Sequence, residues 1–321
     1  MKKWIAGVDI GGTKIAVSIG TRTGTIVGRT VFSSEEGKKV KQSVEKIRTS
    51  FNALLSEHKI KRQDILGVGV GVPGAIDPKT QVIQKSPNLP SWEGISLRKI
   101  LNQKLNLPIC VENDANAAAL GEFFFGSGRR IHNFIYITVS TGIGSGIVAN
   151  GYLLRGEKGT AGEVGHMTMV RDGRKCPCGK KGCLEAYSSG TAVAVYVKQA
   201  LKRGARSRFF KNADPNQITG QRVAEAAKKG DSLAIEARTQ AAEYLGIALA
   251  NLINLLNPKR IILGGGVMEQ THHFWSPMMA AVKREAWPMA LKSCEIICSK
   301  LGKYVGDLGA MALVLETRPP R

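Results

Sequence analysis

The sequence contains no apolar run of the ~18 residues that a membrane-spanning helix needs. Its first residues, MKKWIAGVDIGG, do not resemble a secretory signal peptide, because charged residues lead at once into a strand and a glycine turn. No G-x-x-x-x-G-K-[ST] sequence is present, which excludes a P-loop nucleotide site. There is also no helix-turn-helix pattern and no aromatic-studded strand to read bases, so a nucleic-acid partner is not expected. These absences predict a cytoplasmic protein that does not enter the membrane.

Glycine and positive charge, in contrast, are abundant. The 321 residues are 43% apolar, which suffices for the cores of two domains. Several of the 37 glycines follow apolar runs, a pattern typical of α/β enzymes that bind anions through the backbone. The net charge of +21 is scattered over the chain, as on a solvated basic surface; it also fits attraction to anionic substrates, but it identifies none.

The two halves of the sequence begin alike. VDIGGTKIAVSI near the N-terminus and VSTGIGSGIVAN from Val139 both read as strand, glycine-rich turn and strand, which indicates two domains of related architecture. The predicted strands are Trp4–Ile10, Lys14–Ile19, Thr25–Phe32, Ile65–Val72, Pro108–Glu112, Asn133–Val139, Ile147–Ala149 and Lys259–Leu263. The predicted helices cover residues 40–57, 97–105, 114–124, 231–257 and about 307–315, and the last is expected to pack on the first domain.

Three strands lead into glycine turns, at Asp9–Lys14, Ser140–Gly146 and Gly264–Val267. Glycine lets backbone N–H groups approach phosphate oxygens, so three such turns favour a nucleotide site, although such turns also occur for steric reasons alone. The string from Gly69 to Gly74 matches the dinucleotide fingerprint G-x-G-x-x-G. Its first two glycines lie inside a predicted strand and Pro73 occupies the turn, so we reject a Rossmann dehydrogenase.

One loop concentrates soft metal ligands. His166, Cys176, Cys178 and Cys183 form H-x9-C-x-C-x4-C, which predicts a closed, tetrahedral structural zinc site. The alternative is a reduced loop without metal. The remaining cysteines, Cys110, Cys294 and Cys298, fit packing roles.

Three acidic residues are candidates for the chemistry. Asp114 lies where a predicted strand ends and a helix begins, so it fits either a helix N-cap or a base facing a ligand crevice. Glu163 and Glu185 flank the metal ligands. They fit either solvated surface glutamates or acceptors aimed at substrate hydroxyls.

Over essentially its whole length the sequence resembles the ROK family of sugar kinases and related repressors. The resemblance rests on DIGGTK from Asp9, GVPG from Gly71, ENDAN from Glu112, STGIG from Ser140 and GEVGH from Gly162. The string CPCGKKGCLE, from Cys176, matches the specific family signature C-x-C-G-x-x-G-C-x-E. The resemblance implies an α/β fold of two actin-like (ribonuclease-H-like) ATPase domains with a cleft between them and a structural zinc loop.

The resemblance also implies roles for individual residues. Asp114 would be the general base toward the sugar 6-hydroxyl, and His166 would use one ring nitrogen for zinc and the other for the sugar. Asp9 would help to place Mg²⁺. The implied sugar contacts are Gly74, Asn88, Asn113, Asp114, Glu163, His166 and Glu185. The implied ATP contacts are Asp9, Gly11, Gly12, Thr13, Lys14, Thr141, Gly142, Gly144, Gly264, Gly265 and Gly266.

The leading hypothesis is therefore an ATP-dependent glucokinase that makes glucose 6-phosphate with Mg²⁺ and a structural Zn²⁺. Another hexose or an N-acetylated amino sugar as acceptor, and polyphosphate as donor, stay open. A sugar-responsive repressor is less favoured, because the first phosphate turn starts at Asp9 and leaves no room for a preceding DNA-binding domain.

The expected domains are residues 1–115 with about 305–321, and residues 116–304. The first would carry one phosphate turn and the sugar cleft; the second would carry the other turn, the zinc loop and the adenosine turn. A homodimer or homotetramer is expected from the family likeness.

Overall fold

The computed structural model describes residues 3–34, 40–86, 89–211 and 213–316. Within these ranges the fold is α/β, as predicted, with two five-stranded sheets and a two-stranded hairpin. The strands are β1 (Trp4–Ile10), β2 (Lys14–Thr21), β3 (Ile26–Ser33), β4 (Ile65–Val72), β5 (Ala75–Ile76), β6 (Ile83–Lys85), β7 (Ile109–Asn113), β8 (Phe134–Val139), β9 (Ile143–Ala149), β10 (Tyr152–Leu153), β11 (Arg260–Gly264) and β12 (Glu295–Cys298). The helices are α1 (Val40–Glu57), α2 (Leu97–Leu105), α3 (Asp114–Phe125), α4 (Glu185–Ser188), α5 (Gly190–Lys202), α6 (Gly220–Lys228), α7 (Ser232–Leu256), α8 (Trp275–Glu285), α9 (Pro288–Lys292) and α10 (Val305–Ala312). None of the described helices is both long and apolar enough to cross a bilayer.

The two large sheets share one strand order. The first runs β3-β2-β1-β4-β7 and the second β10-β9-β8-β11-β12, so that each places its first strand in the centre. In the first sheet β1 pairs antiparallel with β2 and parallel with β4, and β4 pairs parallel with β7. This repetition bears out the prediction of two related architectures.

The chain divides into two compact units. The first comprises residues 1–136, 146–162 and 299–321, and the second comprises residues 137–145 and 163–298. The first unit reaches beyond the predicted bounds of 1–115 and about 305–321. It includes helix α3, which packs closely on α10. A Cβ on Gly309 would lie 2.7 Å from the backbone of Ala117, an approach that only glycine permits.

Apolar spacing accounts for the core of the first unit. Val44, Ile47, Phe51 and Leu54 line the buried face of α1, as their helical period predicts, and pack with the strands of the first sheet. In the second unit, Asp231 caps α7 by accepting a hydrogen bond from the backbone of Ala234 at 3.0 Å. That cap confirms the predicted start of the longest helix.

Some predicted bounds are wrong. The glycine turn expected at 140–146 is shorter, because β9 already begins at Ile143; Gly144 and Gly146 thus lie within a strand. The last helix runs from Val305 to Ala312, ahead of the predicted 307–315. The elements that were not predicted individually are strands β5, β6, β10 and β12 and helices α4, α5, α6, α8 and α9.

Candidate functional site

Three strand ends meet at one edge of the first sheet. Asp9 pairs with Gly71 on the parallel neighbour β4, and Gly71 pairs with Glu112 on β7. The carboxyl ends of parallel strands are where open α/β sheets bind ligands. The register therefore brings Asp9 of the first glycine turn to the same edge as the ENDAN motif.

Asp9 lies against the start of α10. A Cβ built on Gly306 would fall 2.2 Å from Oδ2 of Asp9, so glycine leaves the space that this carboxylate occupies. Burial, followed by the carboxylates of Asp114 and Asp307, raises the pKa of Asp9 to about 7, although Lys14 and Arg29 oppose the shift. Such a carboxylate is suited to a cation, whose charge would stabilise its ionised form.

The neighbouring Asp307 is held by an arginine. Nε of Arg29 contacts Oδ2 of Asp307 at 3.0 Å and Oδ1 at 3.1 Å, and the guanidinium lies 5.7 Å from the ring centre of Tyr304. This pair offsets part of the negative charge around Asp9. Neither residue was predicted from sequence, because they stand 278 positions apart and match no motif.

Asn113, and not Asp114, is the N-cap of α3. Its Oδ1 accepts from the backbone N–H groups of Ala115 (2.9 Å) and Asn116 (3.0 Å), and its Nδ2 donates to the carbonyl of Gly74 at 3.0 Å. The capping alternative for Asp114 thus loses its main support, although Oδ1 of Asp114 also accepts from Ala115 at 2.9 Å. After these bonds, one hydrogen of the Asn113 side-chain amide is left to donate to a sugar.

Gly74 has φ of +112°, and a Cβ there would lie 2.2 Å from the carbonyl of Lys85. Glycine is therefore required at this turn, which joins Asn113 to the strand edge. The structure thus brings Asp9, Gly74, Asn113 and Asp114 to one edge of the first unit. Asn88, also predicted to contact the sugar, lies outside the described residues.

The first glycine turn is closed by its own backbone. Gly11 donates to the carbonyl of Lys14 at 2.8 Å, and Ser34 binds the carbonyls of Gly12 and Thr13. Gly12, Thr13 and Lys14 are exposed. The turn therefore presents a preformed surface with a cation at its end.

The second unit gathers the four predicted metal ligands. One donor atom from each of His166, Cys176, Cys178 and Cys183 lies within 4.8 Å of all the others. Nδ1 of His166 is 3.7 Å from Sγ of Cys176, and the sulfurs of Cys178 and Cys183 are also 3.7 Å apart. In a tetrahedral zinc site with Zn–S distances of ~2.3 Å, two ligand sulfurs lie about 3.8 Å apart. The residues present fit a tetrahedral zinc ion.

The two ring nitrogens of His166 have different neighbours. Nδ1 faces the cysteines, whereas Nε2 lies 3.9 Å from Oε2 of Glu163. Oε1 of Glu185 is 4.0 Å from Sγ of Cys176, so its carboxylate also borders the cluster. The carboxylates of Glu163 and Glu185 therefore each lie beside one of the metal-ligand residues.

Glu185 is tied to the second glycine turn as well. Its Oε2 accepts a hydrogen bond from the backbone N–H of Ile143 at 2.8 Å, and a Cβ on Gly142 would lie 2.5 Å from the same oxygen. Glycine at 142 therefore makes room for Glu185. The predicted sugar contact Glu185 and the predicted phosphate turn thus share a hydrogen bond.

The other predicted nucleotide contacts of the second unit divide into two groups. Gly265 has φ of +88°, and a Cβ built on it would lie 2.4 Å from the carbonyl oxygen of Val139. Val267 donates to that carbonyl at 3.0 Å. The third glycine turn therefore lies against the strand that leads to Thr141 and Gly142. Gly144, in contrast, is part of β9.

Comparison with known proteins identifies the family. The model of the ROK family matches residues 5–317. A glucokinase of Halalkalibacterium halodurans is 35% identical over 316 residues, covering 98% of this chain and 96% of that protein. A xylose repressor of Caldicellulosiruptor bescii is 34% identical over 318 residues, covering 97% of this chain and 78% of the repressor.

Among solved structures, a ROK family glucokinase from Streptomyces griseus in complex with glucose and AMPPNP is similar. Its TM-score is 0.81 at 33% sequence identity, with 97% of this chain and 98% of that chain covered. A ROK hexokinase from Thermus thermophilus has the same TM-score of 0.81 at 30% identity, with 97% of each chain covered. The chain belongs to the ROK family.

Proposed function

We propose that the protein is an ATP-dependent glucokinase that transfers the γ-phosphoryl group of ATP to the 6-hydroxyl of glucose. One observation carries this proposal: Asp9 and Asp114 lie at one sheet edge in a chain that resembles glucokinases over 98% of its length. An acid beside a hydroxyl acceptor and a second acid beside a phosphate turn are the groups that phosphoryl transfer to an alcohol requires.

Asp114 is the proposed general base. Its carboxylate would accept the proton of the 6-hydroxyl as the oxygen attacks the γ-phosphorus, a contribution typically worth ~10²–10⁴-fold in rate. Asn113 supports this role by capping α3, so that Asp114 is held at the first turn of a rigid helix. Asp9 would hold Mg²⁺, which neutralises phosphate charge when it is bound.

The glycine turns are proposed to bind ATP. Gly11, Gly12, Thr13 and Lys14 would cradle phosphates through the exposed Gly12 and Thr13 and the Lys14 ammonium, whereas the N–H of Gly11 closes the turn by donating to the carbonyl of Lys14. Thr141, Gly142 and Gly144 would do the same in the second unit, and Gly264–Gly266 would lie by the adenosine. Because Gly144 stands in β9, its backbone is committed to a strand, so we expect Thr141 and Gly142 to make the main contacts there.

The metal loop is proposed to bind the sugar. His166, Cys176, Cys178 and Cys183 would hold a structural Zn²⁺, which supplies stiffness when it is bound. His166 would then present Nε2 to a sugar hydroxyl, beside the carboxylates of Glu163 and Glu185. A preorganised set of acceptors binds a sugar without the entropic cost of ordering a loop.

The experiment is a panel of sugars with coupled detection of ADP. Glucose should give the highest kcat/KM, with glucose 6-phosphate as the product. Turnover of mannose, fructose or an N-acetylated amino sugar, with none of glucose, would refute the substrate assignment. Replacing ATP by polyphosphate in the same assay should abolish turnover; comparable rates would instead support a polyphosphate donor.

A sugar-responsive repressor is the second candidate, favoured by the 34% identity to a xylose repressor. An electrophoretic mobility shift at physiological salt, with and without glucose or xylose, tests it. Sequence-specific binding of DNA would support this candidate. A cytoplasmic location and a homodimer or homotetramer stay predictions, and light scattering of the purified protein tests the assembly.

A further inference from the structure

The glutamate that precedes the candidate site residues makes hydrogen bonds with both of its oxygens. Oε1 of Glu112 accepts from the backbone N–H of Asn113 at 3.0 Å and from Nδ2 of Asn116 at 3.2 Å. Oε2 accepts from Nε of Arg155 at 2.6 Å. The two groups that Oε1 binds stand on either side of Asp114 in the sequence. The carboxylate of Glu112 therefore spans the segment that carries the candidate base.

Arg155 joins this carboxylate to a second one. Its Nη2 contacts Oε2 of Glu316 at 2.6 Å, and the side chains of Arg155, Glu112 and Glu316 are 15%, 7% and 12% exposed. One guanidinium thus compensates two carboxylates in a largely dry environment. Removal of Arg155 would leave both glutamates uncompensated and repelling each other, which a buried site tolerates poorly.

Each of the three residues belongs to a different part of the first unit. Glu112 is the penultimate residue of β7, and Glu316 follows α10, where its N–H donates to the carbonyl of Ala312 at 3.2 Å. Arg155 begins a loop that closes on itself, because Ala161 donates to the carbonyl of Arg155 at 3.0 Å. The ion pairs of Arg155 with Glu112 and Glu316 therefore hold a strand end, a loop and the segment after a helix together.

Helix α10 connects this trio to the other candidate acid. Its first turn contains Gly306, against which the carboxylate of Asp9 lies, and Asp307, which binds Arg29. The same helix packs on α3 through Gly309 and Ala117. The segment from α10 to Glu316 thus packs both against Asp9 and against the helix that carries Asp114.

We propose that Arg155 and Glu316 are positioning residues for Asp114. Arg155 orients the carboxylate of Glu112, which in turn fixes the backbone of Asn113 and the side chain of Asn116. The start of α3, and with it the Asp114 carboxylate, is thereby held in register with the sheet edge. This inference rests on the proposed function, in which Asp114 takes the proton of the sugar hydroxyl.

The test compares Arg155→Met with Arg155→Lys, Glu316→Gln and a control, Arg62→Met. Arg62 is a suitable control because it is a partly buried arginine of the same unit that binds Asn52 and the carbonyl of Leu105, away from the sheet edge. Steady-state kinetics are measured for each variant with the sugar that the wild-type protein phosphorylates best. Melting temperatures are measured alongside.

Arg155→Met should lower kcat by about 10²-fold, the cost of misplacing a reacting group by about 1 Å, while KM for ATP changes by less than about twofold. Arg155→Lys should restore part of kcat, because an ammonium can still compensate one carboxylate. Glu316→Gln should lower kcat several-fold. Arg62→Met should lower the melting temperature and leave kcat unchanged. A purely structural role would lower kcat for Arg62→Met and Arg155→Met alike and would overturn the proposal.

Hydrogen exchange of the Ala115 and Asn116 amides provides a readout that needs no activity. Both amides donate to Oδ1 of Asn113, so a loosened start of α3 should raise their exchange at least tenfold in Arg155→Lys and Glu316→Gln. Unchanged exchange together with unchanged kcat in these variants would refute the positioning role. If the wild-type protein phosphorylates no sugar, the proposed function fails, and the exchange rates alone decide whether Arg155 holds this segment.

Discussion

The substitution Gly306→Ala, which adds one methyl group, should lower kcat and leave the free energy of unfolding nearly unchanged. Gly306 lies in the first turn of α10, and its φ is not in the left-handed region, so alanine fits its backbone. The added Cβ would stand 2.2 Å from Oδ2, 2.6 Å from Cγ and 3.0 Å from Oδ1 of Asp9. Since such atoms normally stay ~3.5 Å apart, the carboxylate must move by about 1.3 Å.

The backbone of Asp9 is paired on both sides by β2 and β4, so we expect the side chain to rotate away. A displacement of about 1 Å in the proposed Mg²⁺ ligand should lower kcat by about 10²-fold. That loss corresponds to about 2.7 kcal/mol of activation free energy. The free energy of unfolding should change by less than about 1 kcal/mol, because alanine is a better helix former than glycine and offsets the lost contacts.

The assay measures kcat and thermal unfolding of Gly306→Ala, Asp9→Asn and the double variant. If the methyl acts through Asp9, the double variant should be no slower than Asp9→Asn, because the two changes remove the same interaction. A kcat within twofold of wild type for Gly306→Ala would refute the role assigned to Asp9. Additive losses in the double variant would show that Gly306 acts by another route.

Three further predictions concern the metal loop and the acids. Cys183→Ser should abolish stoichiometric zinc in elemental analysis and lower the melting temperature, since a structural zinc contributes folding energy; full activity without zinc would contradict the loop's role. Gly142→Ala should raise KM for glucose about tenfold, because its Cβ would lie 2.5 Å from Oε2 of Glu185; an unchanged KM would separate Glu185 from sugar binding. The raised pKa of Asp9, about 7, means that the folded state binds more protons than the unfolded state between about pH 4 and 7. Without Mg²⁺, stability should therefore fall as pH rises through this window, by at most about 4 kcal/mol, and Asp9→Asn should flatten the fall in urea titrations.

Local sequence patterns predicted most of the fold because their signals are short-range. The apolar run Ile65–Val72 became β4 with the predicted bounds, and the helical period of Val40–Glu57 became α1. The metal ligands were also predictable, since close cysteines in a glycine-rich loop have few other uses. In each of these cases one segment carries the whole signal.

Other features depend on pairing between distant segments. The glycine-rich sequence predicted a turn at Gly144, but the structure has a strand there. The start of β9 depends on pairing with other strands, which glycine content does not reveal. Three consecutive polar residues, Glu112, Asn113 and Asp114, stand where α3 begins. Only the structure shows that Asn113 is the residue that caps the helix. Arg155 and Glu316 are 161 positions apart, so no local pattern signals their ion pair.

Turnover of glucose with ATP by the wild-type protein and by Asp114→Asn tests the proposed glucokinase activity most directly. Asparagine keeps the size of the side chain and removes its basicity, so the helix should persist and circular dichroism should be unchanged. The assignment of Asp114 as the general base of a glucokinase predicts glucose 6-phosphate from the wild-type protein and a kcat lowered by ~10²-fold or more in the variant. Absence of phosphorylated glucose in the wild-type reaction, or an unchanged kcat in Asp114→Asn, would contradict it.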